Sequence, residues 1–203
     1  MKVKGFKIVA QYLAEKLNCY VNKDGIALVK MILGIEVVII HVIKIVIIYS
    51  LALLFGVLLQ TLATHVAFFI LKRYSLGVHS LSNFICTILS CSMFVLVPWI
   101  MNGIEISNLV AAVIFIPIIV LLYLFAPADT NARPLVGVLL RGRMKKKAVI
   151  CGILLAITTL LLPEYSLNFF VVSGAVYQCI TILPITYKIL KRSERNYERY
   201  ENT

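Results

Sequence analysis

Apolar positions in this chain form long runs separated by short polar connections, and their spacing predicts helices throughout. Residues 3–17 place Phe6, Val9, Ala10, Leu13 and Leu17 on one helical face and Lys4, Lys7, Gln11 and Glu15 on the other. Such a helix is too polar to span a bilayer and is expected to lie on its surface. Asn22–Gly25 reads as a turn, with Asp24 able to cap the next helix. From Ile26 to Leu71 the chain is apolar for 46 residues, broken only by Lys30, Glu36, His41 and Lys44 and by a polar patch of Gln60, Thr61, Thr64 and His65. A spanning helix needs about 20 residues. This run therefore holds two passes, or an interfacial helix followed by a span or re-entrant hairpin, and no clear turn divides it. Lys30, His41 and Lys44 share one helical side, which favours an interfacial or cavity-facing first half over residues 26–42. Residues 72–83 are polar, and four further spans come after them at about 84–101, 107–125, 148–162 and 168–187.

Composition sharpens this picture. The chain is 61% hydrophobic and only 14% charged, with a mean hydropathy of +0.97, against about 45–50% apolar in a soluble domain. The expected fold is all-α: a polytopic integral membrane helical bundle with an N-terminal amphipathic interfacial helix, one membrane domain over residues 1–203. The N-terminal stretch lacks the short apolar core and small-residue site of a cleavable signal, so it is expected to be retained. No internal repeat or soluble module stands out, and Tyr197–Thr203 is expected to fray.

Charge sets the orientation. The formal net charge is +11, but the cations cluster at the termini and beside apolar spans, which fits anionic lipid and topology control rather than nucleic acid. Arg133, Arg141, Arg143, Lys145, Lys146 and Lys147 fall in the connection 126–147, and residues 188–203 form a basic tail. The connections 102–106 and 163–167 carry no lysine or arginine. The positive-inside bias therefore puts the basic connection, the tail and Lys72–Arg73 on the cytoplasmic side of a cell membrane.

The candidate chemistry lies in KRYSLGVHSLSNFICTILSC, residues 72–91. A cysteine acts through its thiolate, which needs a base or a positive field. On one straight helix His79 and Cys86 would stand about 10 Å apart along the axis. Gly77 permits a bend instead, and Ser80 or Ser82 can cap a helix starting just before Cys86, whose dipole would favour a thiolate. His79 would then be the general base, folding back from a loop at the cytoplasmic edge. The alternative is a small buried hydrophobe and a solvated histidine. Gln60, Thr64 and His65 would orient His79 or hold the oxyanion, or else make ordinary interhelical hydrogen bonds. The five scattered cysteines suggest neither a disulfide framework nor a metal site, there is no HExxH or GxSxG, and no cofactor is expected.

Two motifs carry a family resemblance. RYSLGVHSLSNFIC (73–86) and APADTNARP (126–134) resemble, in residue order and separation, the signature and the Ala-Pro-x-x-Thr loop of the accessory gene regulator protein B (AgrB) family. The order of spans and the basic tail agree across nearly the whole chain. The resemblance implies a membrane-embedded cysteine endopeptidase of a Gram-positive bacterium that processes an AgrD-like autoinducer precursor in quorum sensing. It maps the family histidine and cysteine onto His79 and Cys86, its glycine onto Gly77, and its basic pair onto Lys72 and Arg73. A thioester on Cys86 would be displaced by an internal thiol or hydroxyl to close a thiolactone or lactone. The chain departs from many relatives at Leu76, where they have a second glycine, and at Asn131–Ala132–Arg133, where their loop is more basic. Arg133, Arg141, Arg143, Lys145, Lys146 and Lys147 would bind an acidic precursor segment or serve topology alone. Anionic lipids are the other expected partner, and a homodimer would shield a polar cavity from lipid.

Two readings compete with the protease. A small transporter or peptide exporter would line its path with Glu36 and Lys44, and an inert membrane scaffold would use none of this chemistry.

Overall fold

The structure, a computed structural model, describes residues 4–78, 83–130, 134–162, 165–193 and 196–198. Every named element among them is helical. The chain divides into two compact units, residues 1–51 and 52–203.

The first unit holds α1 (Lys4–Val21) and most of α2 (Gly25–Leu54). On α1 the apolar Val9, Leu13 and Leu17 are exposed, as are Lys7, Gln11 and Glu15. The turn into α2 is held by Asn18, whose Oδ1 accepts from the Lys23 amide at 2.7 Å. α2 runs unbroken through Lys30, Glu36, His41 and Lys44. At 1.5 Å per residue its 30 residues reach about 45 Å, more than a bilayer core. Val29, Leu33, Val37, Val38 and Val42 stand exposed along it.

In the second unit the chain turns at Gly56 (φ +69°) into α3 (Leu58–Ser75), so the undivided apolar run is two helices. α6 (Asn108–Phe125), α7 (Val138–Leu161) and α8 (Tyr165–Ile182) complete a four-helix bundle with α3, in which α3 pairs with α8 and α6 with α7. Its core is apolar and small: Ala67 and Leu71 of α3, Phe115 and Leu122 of α6, Ala148 of α7, Ala175 of α8. The α3–α8 approach is close because Gly174 has no side chain; a Cβ there would collide with the Thr64 carbonyl oxygen. α2 and α6 are both long and apolar enough to cross a membrane.

Two of the expected spans depart from regular α-helix, each at a proline. Between α4 (Asn83–Cys91) and the short α5 (Val97–Ile100) the chain makes a π-helical turn over Ser92–Leu96. Pro98 has no amide to offer the carbonyl four residues back, and that carbonyl, Phe94, accepts the Thr61 hydroxyl at 2.6 Å instead. At the end of α8 the chain breaks before α9 (Pro184–Ile189). There the Ile180 carbonyl, freed by Pro184, accepts the Thr186 hydroxyl at 2.5 Å. A third difference concerns the basic connection. Arg141, Arg143, Lys145, Lys146 and Lys147 lie on the opening turns of α7, since lysine and arginine are good helix formers and hydropathy marks only the apolar part of a helix.

Candidate active site

The C-terminal end of α3 sets the site. Lys72 and Arg73 occupy its last turn, beyond the apolar part of the helix. Helix geometry ends at Leu76 (φ +57°), and Gly77 comes next at φ +101°, a conformation that L side chains rarely adopt. Residues 75–78 are then clamped from two sides. On one, the Gly77 amide donates to the Ala128 carbonyl at 2.9 Å and the Ala128 amide donates to the Ser75 carbonyl at 2.9 Å, a single parallel bridge. On the other, the Val78 amide donates to the Thr181 carbonyl at 3.0 Å. Gln178, wholly buried, donates through Nε2 to Ser75 Oγ at 2.6 Å and to the Leu76 carbonyl at 2.7 Å. A Cβ on Gly77 would meet Thr181 Oγ1 at 2.6 Å and its carbonyl oxygen at 2.9 Å, so no other residue fits without movement.

Residues 75–77 of the first motif and Ala128 of the second are thus bonded together. The clamped segment leads directly into His79, which lies outside the described residues together with Ser82. The chain is described again from Asn83, where α4 begins, and Cys86 sits in its opening turn, half-buried and with a free thiol. The Ser90 hydroxyl donates to the Cys86 carbonyl at 2.8 Å. Lys72 stands near this cysteine. It is half-buried there, close enough to Cys86 for their charges to interact. Lys72 Nζ also lies 5.6 Å from the centre of the Phe68 ring.

The basic stretch gathers at the same end of the bundle. Lys147 Nζ lies 5.5 Å from the Tyr74 ring, which also has the Arg73 guanidinium 6.0 Å away. Lys145 Nζ is 4.8 Å from the Tyr123 ring, and the Arg141 guanidinium stacks 3.8 Å from Tyr197. Arg143 and Lys146 are exposed on the same turns. Arg133 lies outside the described residues. A cavity of 470 Å³ opens between α6, α7 and the 126–129 loop, with Arg141, Lys145, Asp129, Tyr187 and Tyr197 among its walls.

Gln60 and Thr64 are not part of this arrangement. Gln60 Nε2 donates to Asn102 Oδ1 at 3.1 Å, and the Thr64 hydroxyl donates to the Gln60 carbonyl at 2.9 Å. Gln60 is about 18 Å from Lys72 along α3. His65 stacks on Phe94 at 4.7 Å. Their signal in the sequence, polar groups within an apolar run, marks a bond inside α3, a bond to the turn at Asn102 and a ring contact. The same signal lies in Gln178, a polar side chain of α8 that does reach the site. Among the described residues, no three His, Cys, Asp or Glu side chains gather as metal ligands would.

The model of the accessory gene regulator B family matches residues 6–182. A protein of Listeria innocua named AgrB-like is 41% identical over 193 residues, covering 95% of this chain and 94% of its own. Another of that name, from Clostridium acetobutylicum, is 36% identical and covers 99% of this chain and 98% of its own. The accessory gene regulator protein B of Staphylococcus intermedius is 32% identical over 85% of this chain and 91% of its own. No solved structure matches.

Proposed function

The chain belongs to the accessory gene regulator B family, and on that premise we propose that it is a membrane-embedded cysteine endopeptidase acting on an autoinducer precursor peptide, with Cys86 as nucleophile and His79 as general base. The observation that carries this reading is the placement of Cys86 in the opening turn of α4, beside the Lys72 ammonium and after the clamped segment that leads to His79.

In the first step His79 takes the Cys86 proton, and the sulfur attacks a carbonyl carbon of the precursor. The tetrahedral intermediate collapses as the C–N bond breaks, and the leaving amine takes the proton from His79. The N-terminal part remains as a thioester on Cys86. An internal thiol or hydroxyl of the precursor then attacks that thioester, forming a thiolactone or lactone and returning the proton to the Cys86 sulfur. One acyl–sulfur bond replaces another in the thiolactone case, so the step needs water kept out more than a large driving force.

In this reading α3, α4–α5, α6, α7 and α8 cross the membrane in alternation. Both α3 and α4 then meet the site at the cytoplasmic face, where the cations of α7 also lie. α2 is long enough for a further pass, and α1 has the pattern of a surface helix. Arg141, Arg143, Lys145, Lys146 and Lys147, with the adjoining cavity, supply a positive field for an acidic precursor segment and for anionic lipid.

Co-expression of the chain with its cognate precursor tests the reading. The C-terminal precursor fragment is expected from the unaltered chain and from the Cys19, Cys91 and Cys151 alanine variants, and not from Cys86→Ala. Fragment release by Cys86→Ala would end the protease reading, and full release by His79→Ala would end the assignment of the base.

A further inference from the structure

Asp129 has no part in the chemistry above, yet its carboxylate is buried in the loop that clamps Gly77. Oδ1 accepts the backbone amide of Asn196 at 3.1 Å and Oδ2 accepts that of Tyr197 at 2.9 Å. The Asp129 carbonyl accepts the Tyr187 hydroxyl at 2.9 Å. Beyond these bonds the tail is tied down at one more point, where Tyr197 lies against the Arg141 guanidinium. Within the tail, Asn196 Nδ2 donates to the Ser193 carbonyl at 2.8 Å while the Ser193 hydroxyl donates to Asn196 Oδ1.

A polar segment near a chain end frays unless something holds it, and the sequence alone predicts fraying from Tyr197 onward. A buried carboxylate is costly unless its oxygens find donors. Each solves the other's problem, and the bonds are charge-assisted. The position of Asp129 gives the contact its consequence. Its neighbour Ala128 exchanges hydrogen bonds with Ser75 and Gly77, so the tail, Asp129, Ala128 and the segment entering the site form one bonded series.

We infer that the C-terminal segment around Asn196 and Tyr197 is a working part of the active-site scaffold, and that Asp129 is the positioning residue through which it holds residues 75–78 in register with Cys86. Loss of the clasp lets the 126–130 loop shift, and misplacement of a reacting group by about 1 Å can cost on the order of a hundredfold in rate. The inference rests on the reading of Cys86 as the nucleophile.

The test uses the full chain in membranes with its precursor. The variants are Asp129→Asn, which turns one acceptor into a donor, Asn196→Pro, which removes one amide, and the double variant. Each single change is expected to lower kcat for precursor cleavage roughly tenfold with little change in KM, and to expose the tail to trypsin after Lys191 and Arg192. Because both changes break one contact, the double variant should be no slower than the worse single one. Asn196→Pro lies outside the helical core, so it remains informative if Asp129→Asn lowers the amount of folded protein. A chain whose tail has become trypsin-sensitive but which cleaves at the unaltered rate overturns the inference, as do additive losses in the double variant. Failure of the nucleophile assignment reads differently: Cys86→Ala would still cleave, while protection of the tail and its loss in Asp129→Asn would be unaffected.

Discussion

The Gly77 amide donates to the Ala128 carbonyl at 2.9 Å, which joins two motifs that lie about fifty residues apart in the chain. Its geometry requires φ +101° at Gly77 and leaves no room beside Thr181. A capacity to bend is therefore only half of what this position needs. The residue must be small as well as flexible, because α8 passes directly against it.

Gly77→Ala should therefore lower stability by about 1–3 kcal/mol, the range for a residue forced into a rare backbone conformation, and reduce precursor cleavage at least ~tenfold. Adding Thr181→Ala removes the hydroxyl at 2.6 Å but leaves the backbone oxygen at 2.9 Å, so activity should not return. Thermal melting in detergent and fragment release check both parts.

Lys72 supplies the cation near Cys86. Lys72→Met removes that charge and should slow precursor cleavage, whereas Lys72→Arg keeps it and should retain most of the rate. Initial rates of fragment release by the two variants decide it.

Thr61 and Pro98 form a compensating pair. Thr61→Val leaves the Phe94 carbonyl without its donor and should destabilise by about 1–3 kcal/mol. Pro98→Ala restores an amide at that position, so the double variant should melt higher than Thr61→Val alone. Equal melting of the two would show that the π turn has another cause.

Gln178→Leu keeps the volume but removes both donors to Ser75 Oγ and the Leu76 carbonyl. It should cost about 2 kcal/mol of stability, since a buried carbonyl is left unpaired, and should slow cleavage more than Asn168→Leu at the far end of α8. Comparing the two variants for melting temperature and fragment release separates a local effect from general loosening.

By itself the sequence determined the helical class, the placement of apolar runs, the basic clustering and the motif containing His79 and Cys86. These are local properties: hydropathy, charge and residue order are written in consecutive positions. The start of α7 was not legible, because a basic helical turn and a basic loop have the same composition. Nor were the π turn before Pro98 and the break at Pro184 legible in kind, because a proline inside an apolar run can kink, bulge or end a helix depending on which donor reaches the freed carbonyl. Only the tertiary structure decided that Thr61 and Thr186 take that part, that Gln60 and Thr64 bond away from the site, and that Gln178, Thr181 and Ala128 fix the segment before His79. Most of those choices are hydrogen bonds between residues distant in the chain, and a donor's partner there is set by which helices pack together, not by its neighbours in sequence.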